Sequence, residues 1–268
     1  MRVWRPESLV GVTAIVLIAA AIIGAIVATG AIPPAAAQSV AVPSAGLPEG
    51  FVRLRERDPS IRQDMRYAGP FNFTGRRVPG YLAGECILLR PVADALARAQ
   101  ARLLADGYSL KVYDCYRPER AVRAFVEWAQ SPEPDRMAPI FSPAIHKSQQ
   151  FALGYIAKRS RHSLGVAVDV GLVRTDEPDL PTPREAGPCD GPFAQRARES
   201  SLDMGTAFDC SAPASATAAR VAPAARANRD RLVGALAAEG FRNYRLEWWH
   251  FDYGGPTPPV RAWNFPVR

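Results

Sequence analysis

Apolar residues in CILLRPVADALARAQARLLADGY (86–108) recur every three or four positions, at Leu88, Val92, Leu96, Ala99 and Leu103. That spacing predicts a helix, and Gly107 supplies its stop. LKVYDCY (110–116) alternates and is rich in β-branched and aromatic residues, so it predicts a strand. Pro118 then opens a second amphipathic run, PERAVRAFVEWAQ, since proline fits the first turn of a helix. SPEPDRMAPIFSP (131–143) is a loop, KSQQFALGYIAKR a short helix and VAVDVGLV (166–173) a buried strand. Residues 174–200 are rich in Pro, Asp and Gly and read as a long loop, and SAPASATAA (211–219) is low in complexity. ANRDRLVGALAAEG (227–240) predicts a helix ended by Gly240, YRLEWWHFDY (244–253) a strand, and the tail is irregular. No internal repeat is visible, and helices and strands mix without βαβ alternation. That mixture favours an α+β fold.

The first 50 residues obey different rules. Arg2 and Arg5 precede a run from Leu9 to Ile32 without a charged residue, and an Ala-rich stretch ends near Ala37. A basic start, an apolar centre and small residues read as a secretory signal, while the length of the run also suits an uncleaved N-terminal anchor. Residues 1–37 are therefore assigned as signal peptide or membrane anchor. Both assignments place the remainder of the chain outside the cytoplasm, in a secreted, periplasmic or envelope-associated location. The Pro/Ala/Ser/Gly stretch 38–50 is a flexible linker. Residues 51–268, about 218 residues, are long enough for one well-packed domain.

The net charge of +7 falls to +6 without the leader, and its arginines are scattered rather than clustered. The pattern fits a solvated basic surface. Nucleic acid is not an expected partner outside the cytoplasm, and membrane contact is expected only through the N-terminal anchor. Cys86, Cys115, Cys189 and Cys210 allow three pairings. An even count in an exported chain favours disulfides. Local pairing gives Cys86–Cys115 and Cys189–Cys210, each closing a loop worth about 3 kcal/mol in the chain-entropy model. The alternative is a zinc site made from all four, which the absence of any C-x-x-C disfavours.

Two of the three histidines stand near carboxylates. His162 precedes a Ser-Leu-Gly turn with Asp169 seven residues on, and His250 comes three residues after Glu247. Zinc hydrolases use three protein ligands, a water position and a base that is not a ligand. His162, Asp169 and His250 supply such ligands and Glu247 such a base. On a regular strand, residues seven or three apart face opposite ways. Gly165 can turn the chain for the first pair, and a bulge or strand end is required for the second. A histidine packed between Trp and Phe is often simply a hydrogen-bonded core residue. Arg117 stands where a strand meets a helix. It fits either a surface cap or a fixed cation facing a developing oxyanion. His146 matches no pattern and reads as a loop residue.

Taken in order, YDCYRPERA (113–121), SRHSLGVAVDV (160–170), LDMGTAFD (202–209) and EWWHF (247–251) resemble the D-alanyl-D-alanine dipeptidases. These VanX-type zinc peptidases are grouped with zinc D,D-carboxypeptidases and the hedgehog signalling domain. The resemblance spans roughly residues 50–255 and includes RYAGPFNFTGRRVPGY (66–81). It implies a single α+β domain with a central, mainly antiparallel sheet flanked by helices. It implies one zinc ion held by His162, Asp169 and His250, with Glu247 as base and Arg117 stabilising the oxyanion. Ser160 would contact the C-terminal end of the substrate, and Tyr67 and Asp203 its ammonium end. The implied reaction is hydrolysis of free D-Ala-D-Ala in peptidoglycan metabolism. A zinc D,D-carboxypeptidase or endopeptidase acting on wall peptides would use the same chemistry in an open groove. A zinc-stabilised binding module without turnover would lack the base or the arginine. The stretch between Asp169 and Asp203 is long for this family and holds Cys189.

Overall fold

A computed structural model describes residues 46–197 and 201–268; the leader 1–37 and the linker to residue 45 lie outside the described residues. In chain order the strands are β1 (Phe51–Arg53), β2 (Arg62–Gln63), β3 (Ile87–Leu89), β4 (Tyr108–Asp114), β5 (Ala167–Arg174), β6 (Phe241–Asn243) and β7 (His250–Tyr253). The helices are α1 (Leu54–Arg57), α2 (Arg90–Ala105), α3 (Glu119–Gln130), α4 (Ala138–Phe141), α5 (Gln150–Leu153) and α6 (Pro223–Ala237). Five strands form one sheet in the order β2-β4-β5-β7-β6, and β1 pairs with β3 in a separate ribbon. Only the β2–β4 pairing in the larger sheet is parallel. The fold is the α+β arrangement with an antiparallel-rich sheet and flanking helices. No helix among the described residues is long and apolar enough to cross a membrane.

Alternation on β5 organises the core. Val168, Val170 and Leu172 point to one face and Asp169 to the other; all four are buried. The α2 stripe Val92, Leu96, Ala99 and Leu103 is buried as its spacing requires. Helix α2 packs on β4, and α6 packs on β5, β6 and α2. The expected helix 86–108 is shorter than its apolar run. Its first residues pair with β1 as a strand, and Pro91 lies in the first turn of the helix proper. Pro118 is the residue immediately before α3, and α6 begins earlier than expected, at Pro223. The loop 131–143 contains the one-turn helix α4.

The expected strand 244–253 is mostly a turn. Only His250–Tyr253 pairs, because Glu247 N–H bonds Tyr244 O (3.0 Å) and Trp248 N–H leaves the sheet for Ser215 O (3.0 Å). Both expected disulfides form, Cys86–Cys115 and Cys189–Cys210, and no cysteine is free. The second ties the long loop after β5 to the segment just before the 3-10 turn at Pro213–Ser215.

Candidate active site

One row across three strands builds the site. Asp114 on β4 opposes Asp169 on β5, and Asp169 opposes His250 on β7. Opposed residues share a face. Asp114 reaches this row only because the β4–β5 register slips between Val112 and Asp114. The bulge leaves Tyr113 as the extra residue and re-aims the carboxylate next to it. His162 arrives from a 3-10 turn, Arg161–Leu164, ended by Gly165 in the left-handed region (φ 73°). A Cβ at Gly165 would lie 2.5 Å from the Phe51 ring. The chain therefore needs glycine there to turn His162 back over β5.

Three ligand-type atoms converge. His162 Nε2 lies 3.1 Å from His250 Nδ1 and 3.3 Å from Asp169 Oδ1, and His250 Nδ1 lies 3.0 Å from Asp169 Oδ1. Ligands about 2.0–2.1 Å from a tetrahedral metal stand about 3.3 Å apart, so the triangle has the right size. The outward ring nitrogens are held by acceptors: His162 Nδ1 by Cys115 O (2.6 Å) and His250 Nε2 by Asp252 Oδ1 (3.3 Å). Those partners place protons on the outer nitrogens and direct the inner lone pairs at one another, the arrangement of metal-bound histidines. The cluster calls for a cation. Burial opposes protonation of His250, yet the Asp169 and Asp252 carboxylates outweigh it and hold the imidazole up to about 10. Asp169 is held far below the usual carboxylate range, the pull of His162 and His250 exceeding the cost of its burial. A divalent metal meets this demand with all three side chains at once, and the residues fit one.

Arg117 lies a few residues past the bulge. Its Nε donates to Asp114 Oδ2 (2.8 Å) and a terminal nitrogen to Asp169 Oδ2 (3.4 Å). Its guanidinium lies over the Tyr67 and Phe125 rings at 5.2 and 5.1 Å. Burial alone would lower its pKa, but Asp114 and its neighbours hold it well above the ordinary value. The side chain is thus a fixed cation rather than a surface cap. Asp114 is itself fully buried and accepts from Tyr81 Oη (2.6 Å). A backbone bond from Arg117 N to His162 O (3.3 Å) and a bond from the Ser163 hydroxyl to Arg117 O (2.8 Å) join the arginine to the His162 turn.

Glu247 occupies the turn before β7, its Oε2 3.9 Å from His250 Nδ1. The Asn243 side-chain amide donates to the carbonyls of Glu247 (3.0 Å), Trp248 (3.3 Å) and His250 (3.0 Å), and its Oδ1 accepts from Thr217. That one amide holds the turn which presents both Glu247 and His250. Trp248 is buried and donates its indole N–H to Thr206 (2.9 Å); Trp249 lines the site. Burial pushes the Glu247 carboxyl up to about 8, against the pull of His250.

The three ligand-type side chains, Glu247 and Arg117 face one cavity of about 270 Å³, lined also by Tyr67, Ser160 and Asp209 among others. Ser160 lines it while its Oγ also accepts from His162 N (3.2 Å). Asp203 does not line it. Its carboxylate is taken by Arg196 (2.9 Å) and by Gly205 N–H (2.7 Å), which fixes the loop. The acid in this motif that reaches the cavity is Asp209, which accepts from Tyr67 Oη (3.0 Å). Asp209 has φ 64°, a backbone state that few side chains other than Asp and Asn adopt. Burial and the nearby Asp169 charge push it up to about 7. His146 caps a 3-10 turn at Lys147–Gln149, away from this cavity.

Two histidines and an aspartate converging on one point, with a buried glutamate and a fixed guanidinium beside them, are the donor set and neighbours that a metal-dependent hydrolase requires. The chain matches the Peptidase_M15 family, described as D-ala-D-ala dipeptidase, over residues 48–181 and 194–268. The unmatched stretch between those segments contains Cys189. The chain is 35% identical over 218 residues to the D-alanyl-D-alanine dipeptidase of Streptomyces coelicolor, covering 81% of this chain and 98% of that one. It is 33% identical over 220 residues to that of Enterococcus faecium (82% and 98% covered) and 28% over 195 residues to that of Escherichia coli (72% and 79%). The chain belongs to this family of metallopeptidases and is a peptidase.

Proposed function

We propose that the protein is a zinc-dependent dipeptidase that hydrolyses free D-Ala-D-Ala to two D-alanines outside the cytoplasm. The observation that carries this reading is one cavity holding a three-ligand cluster, Glu247, Arg117 and a separate Tyr67–Asp209 pair. A dipeptide has an ammonium and a carboxylate a few ångströms apart, and a closed site must satisfy both because an unpaired buried charge is costly. Asp209, supported by Tyr67, receives the ammonium in the place expected of Asp203. Ser160, across the cluster, receives the carboxylate end. Behind Asp209 and Glu247 there is space of only about 10 Å³, bounded by Gln150, Cys210 and Ser211. That is room for one water, which disfavours an acyl group or a longer peptide there. The D-alanyl-D-alanine dipeptidases of the relatives support the same substrate.

His162, Asp169 and His250 would hold the zinc. Bound there, it supplies Lewis-acid polarisation of the scissile carbonyl and eases deprotonation of water. Glu247, as carboxylate, takes a proton from the attacking water and returns it to the departing amine nitrogen. Arg117 places a pre-oriented cation where the carbonyl oxygen gains charge, and its clamp by Asp114 and Asp169 removes the need to reorganise. Tyr67, Phe125 and Trp249 limit the water around these charges and so strengthen them. The apolar leader and two disulfides support action outside the cytoplasm. Rates of D-alanine release from D-Ala-D-Ala and from its N-acetyl derivative test the reading. The free dipeptide should be cleaved at least about 10²-fold faster, the cost of leaving Asp209 unpaired. Comparable rates would assign the enzyme to wall peptides instead.

A further inference from the structure

A second cavity, of about 370 Å³, adjoins the catalytic one. The two share Arg159, Ser160 and Arg161, and no residue from the Tyr67–Asp209 end. The catalytic cavity thus continues past Ser160, where the proposed substrate ends, while only about 10 Å³ adjoins it at Asp209 and Glu247. The charged lining of the second cavity is Arg123, Lys158, Arg159 and Arg161 against the single carboxylate of Glu119. Arg161 is engaged by Asp252 (3.1 Å). Among the described residues, no ion pair engages Arg123, Lys158 or Arg159. Val122 and Leu164 supply an aliphatic wall between these cations. Cations gathered round a concave surface raise the local potential and attract an anion. The aliphatic wall suits a short methylene stem that carries it.

We infer that this cavity is a subsite for a carboxylate on the side chain of the substrate's C-terminal residue. D,D-dipeptides ending in an acidic residue are then preferred over their neutral isosteres. The inference rests on the dipeptidase reading, which sets the direction in which the substrate lies. Two or three exposed charge contacts, each worth up to about 1 kcal/mol, give a preference of about tenfold. It falls with salt because these contacts are solvent-accessible.

The test compares kcat/KM for D-Ala-D-Ala, D-Ala-D-Glu and D-Ala-D-Gln with the full-length protein, at low salt and at about 0.5 M salt. The comparison is repeated with the double variant Arg123→Gln/Lys158→Gln. Both positions are exposed and line the second cavity but not the catalytic one. The expected result is about a tenfold advantage of D-Ala-D-Glu over D-Ala-D-Gln at low salt. Salt should shrink it, and the double variant should lose most of it while cleaving D-Ala-D-Ala as before. Equal rates on the two isosteres, with D-Ala-D-Ala still cleaved, overturn the subsite and leave the dipeptidase reading standing. A preference that persists in the double variant or at high salt places the recognition elsewhere and also overturns it. Failure to cleave any of the three overturns both.

Discussion

Asp114→Asn removes one charge from the least exposed point of the site and leaves the shape of the side chain. Asp114 has no solvent exposure, and its two oxygens receive Arg117 Nε at 2.8 Å and Tyr81 Oη at 2.6 Å, with His162 Nδ1 at 3.5 Å. Asparagine keeps one acceptor oxygen for Arg117 and turns its N–H toward Tyr81 Oη, which must then accept rather than donate, and the guanidinium loses its nearest counter-charge. Removing one partner of a buried ion pair costs about 3–5 kcal/mol. Asp169 stays 3.4 Å from Arg117, which argues for the low end, about 3 kcal/mol. With a urea m-value of about 2 kcal/mol per molar, the unfolding midpoint should fall by about 1.5 M. The remaining pull on Arg117 is then toward Asp169, a ligand in the proposed site. Catalysis should therefore suffer beyond stability, with kcat down by about 10²-fold, the usual cost of losing one oxyanion donor. Urea titration monitored by tryptophan fluorescence, and D-alanine release from D-Ala-D-Ala well below the unfolding range, measure the two effects. A midpoint within about 0.3 M of the parent, together with kcat within about threefold, would refute the assignment of Asp114 as the anchor of Arg117.

Glu247→Gln should cut kcat by about 10³-fold while metal content, measured by atomic absorption, stays that of the parent. In the metal-free protein the same change should alter the pH dependence of stability. The folded pKa of Glu247 is raised by burial to about 8 from about 4.3 unfolded, so the native state holds the extra proton between those values. The parent's stability then falls over that window as pH rises, and urea midpoints across pH should show this slope reduced in the variant. Asp252→Asn weakens the support behind His250 Nε2 and should lower metal affinity by about 10–100-fold, read by competition with a chromophoric chelator. Cys86→Ala/Cys115→Ala opens the loop whose Cys115 carbonyl orients His162. It should cost about 3 kcal/mol by urea denaturation, and unchanged stability would contradict that role.

The convergence of His162, Asp169 and His250 was legible because its constraint is local. Asp169 lies seven residues after His162, and the left-handed turn at Gly165 between them brings His162 over Asp169. The Glu247–His250 spacing likewise demanded a break in the strand, although the pattern through Trp248 and Trp249 extended the expected strand too far. The apolar residues there are buried for other reasons than strand pairing: Trp248 donates to Thr206 and Trp249 packs against Phe208 (ring centroids 5.6 Å apart). Features that depend on long-range register were not legible. Nothing local announces that Tyr113 is a bulge, so Asp114 looked like one more strand residue. LDMGTAFD offers two acids, and only the fold shows that Arg196 occupies Asp203 while Asp209 turns into the cavity. Asn243 is seven residues from His250 in the chain, and its three carbonyl contacts exist only once β6 lies beside β7.

Zinc-dependent hydrolysis at this site is tested most directly by D-alanine release from D-Ala-D-Ala by the purified chain, with and without a chelator and after zinc is restored. The chelator should abolish release and zinc should restore it, with Glu247→Gln inactive though zinc-loaded. Release that survives chelation in a protein shown to be free of metal, or undiminished release by the variant, would contradict the assignment.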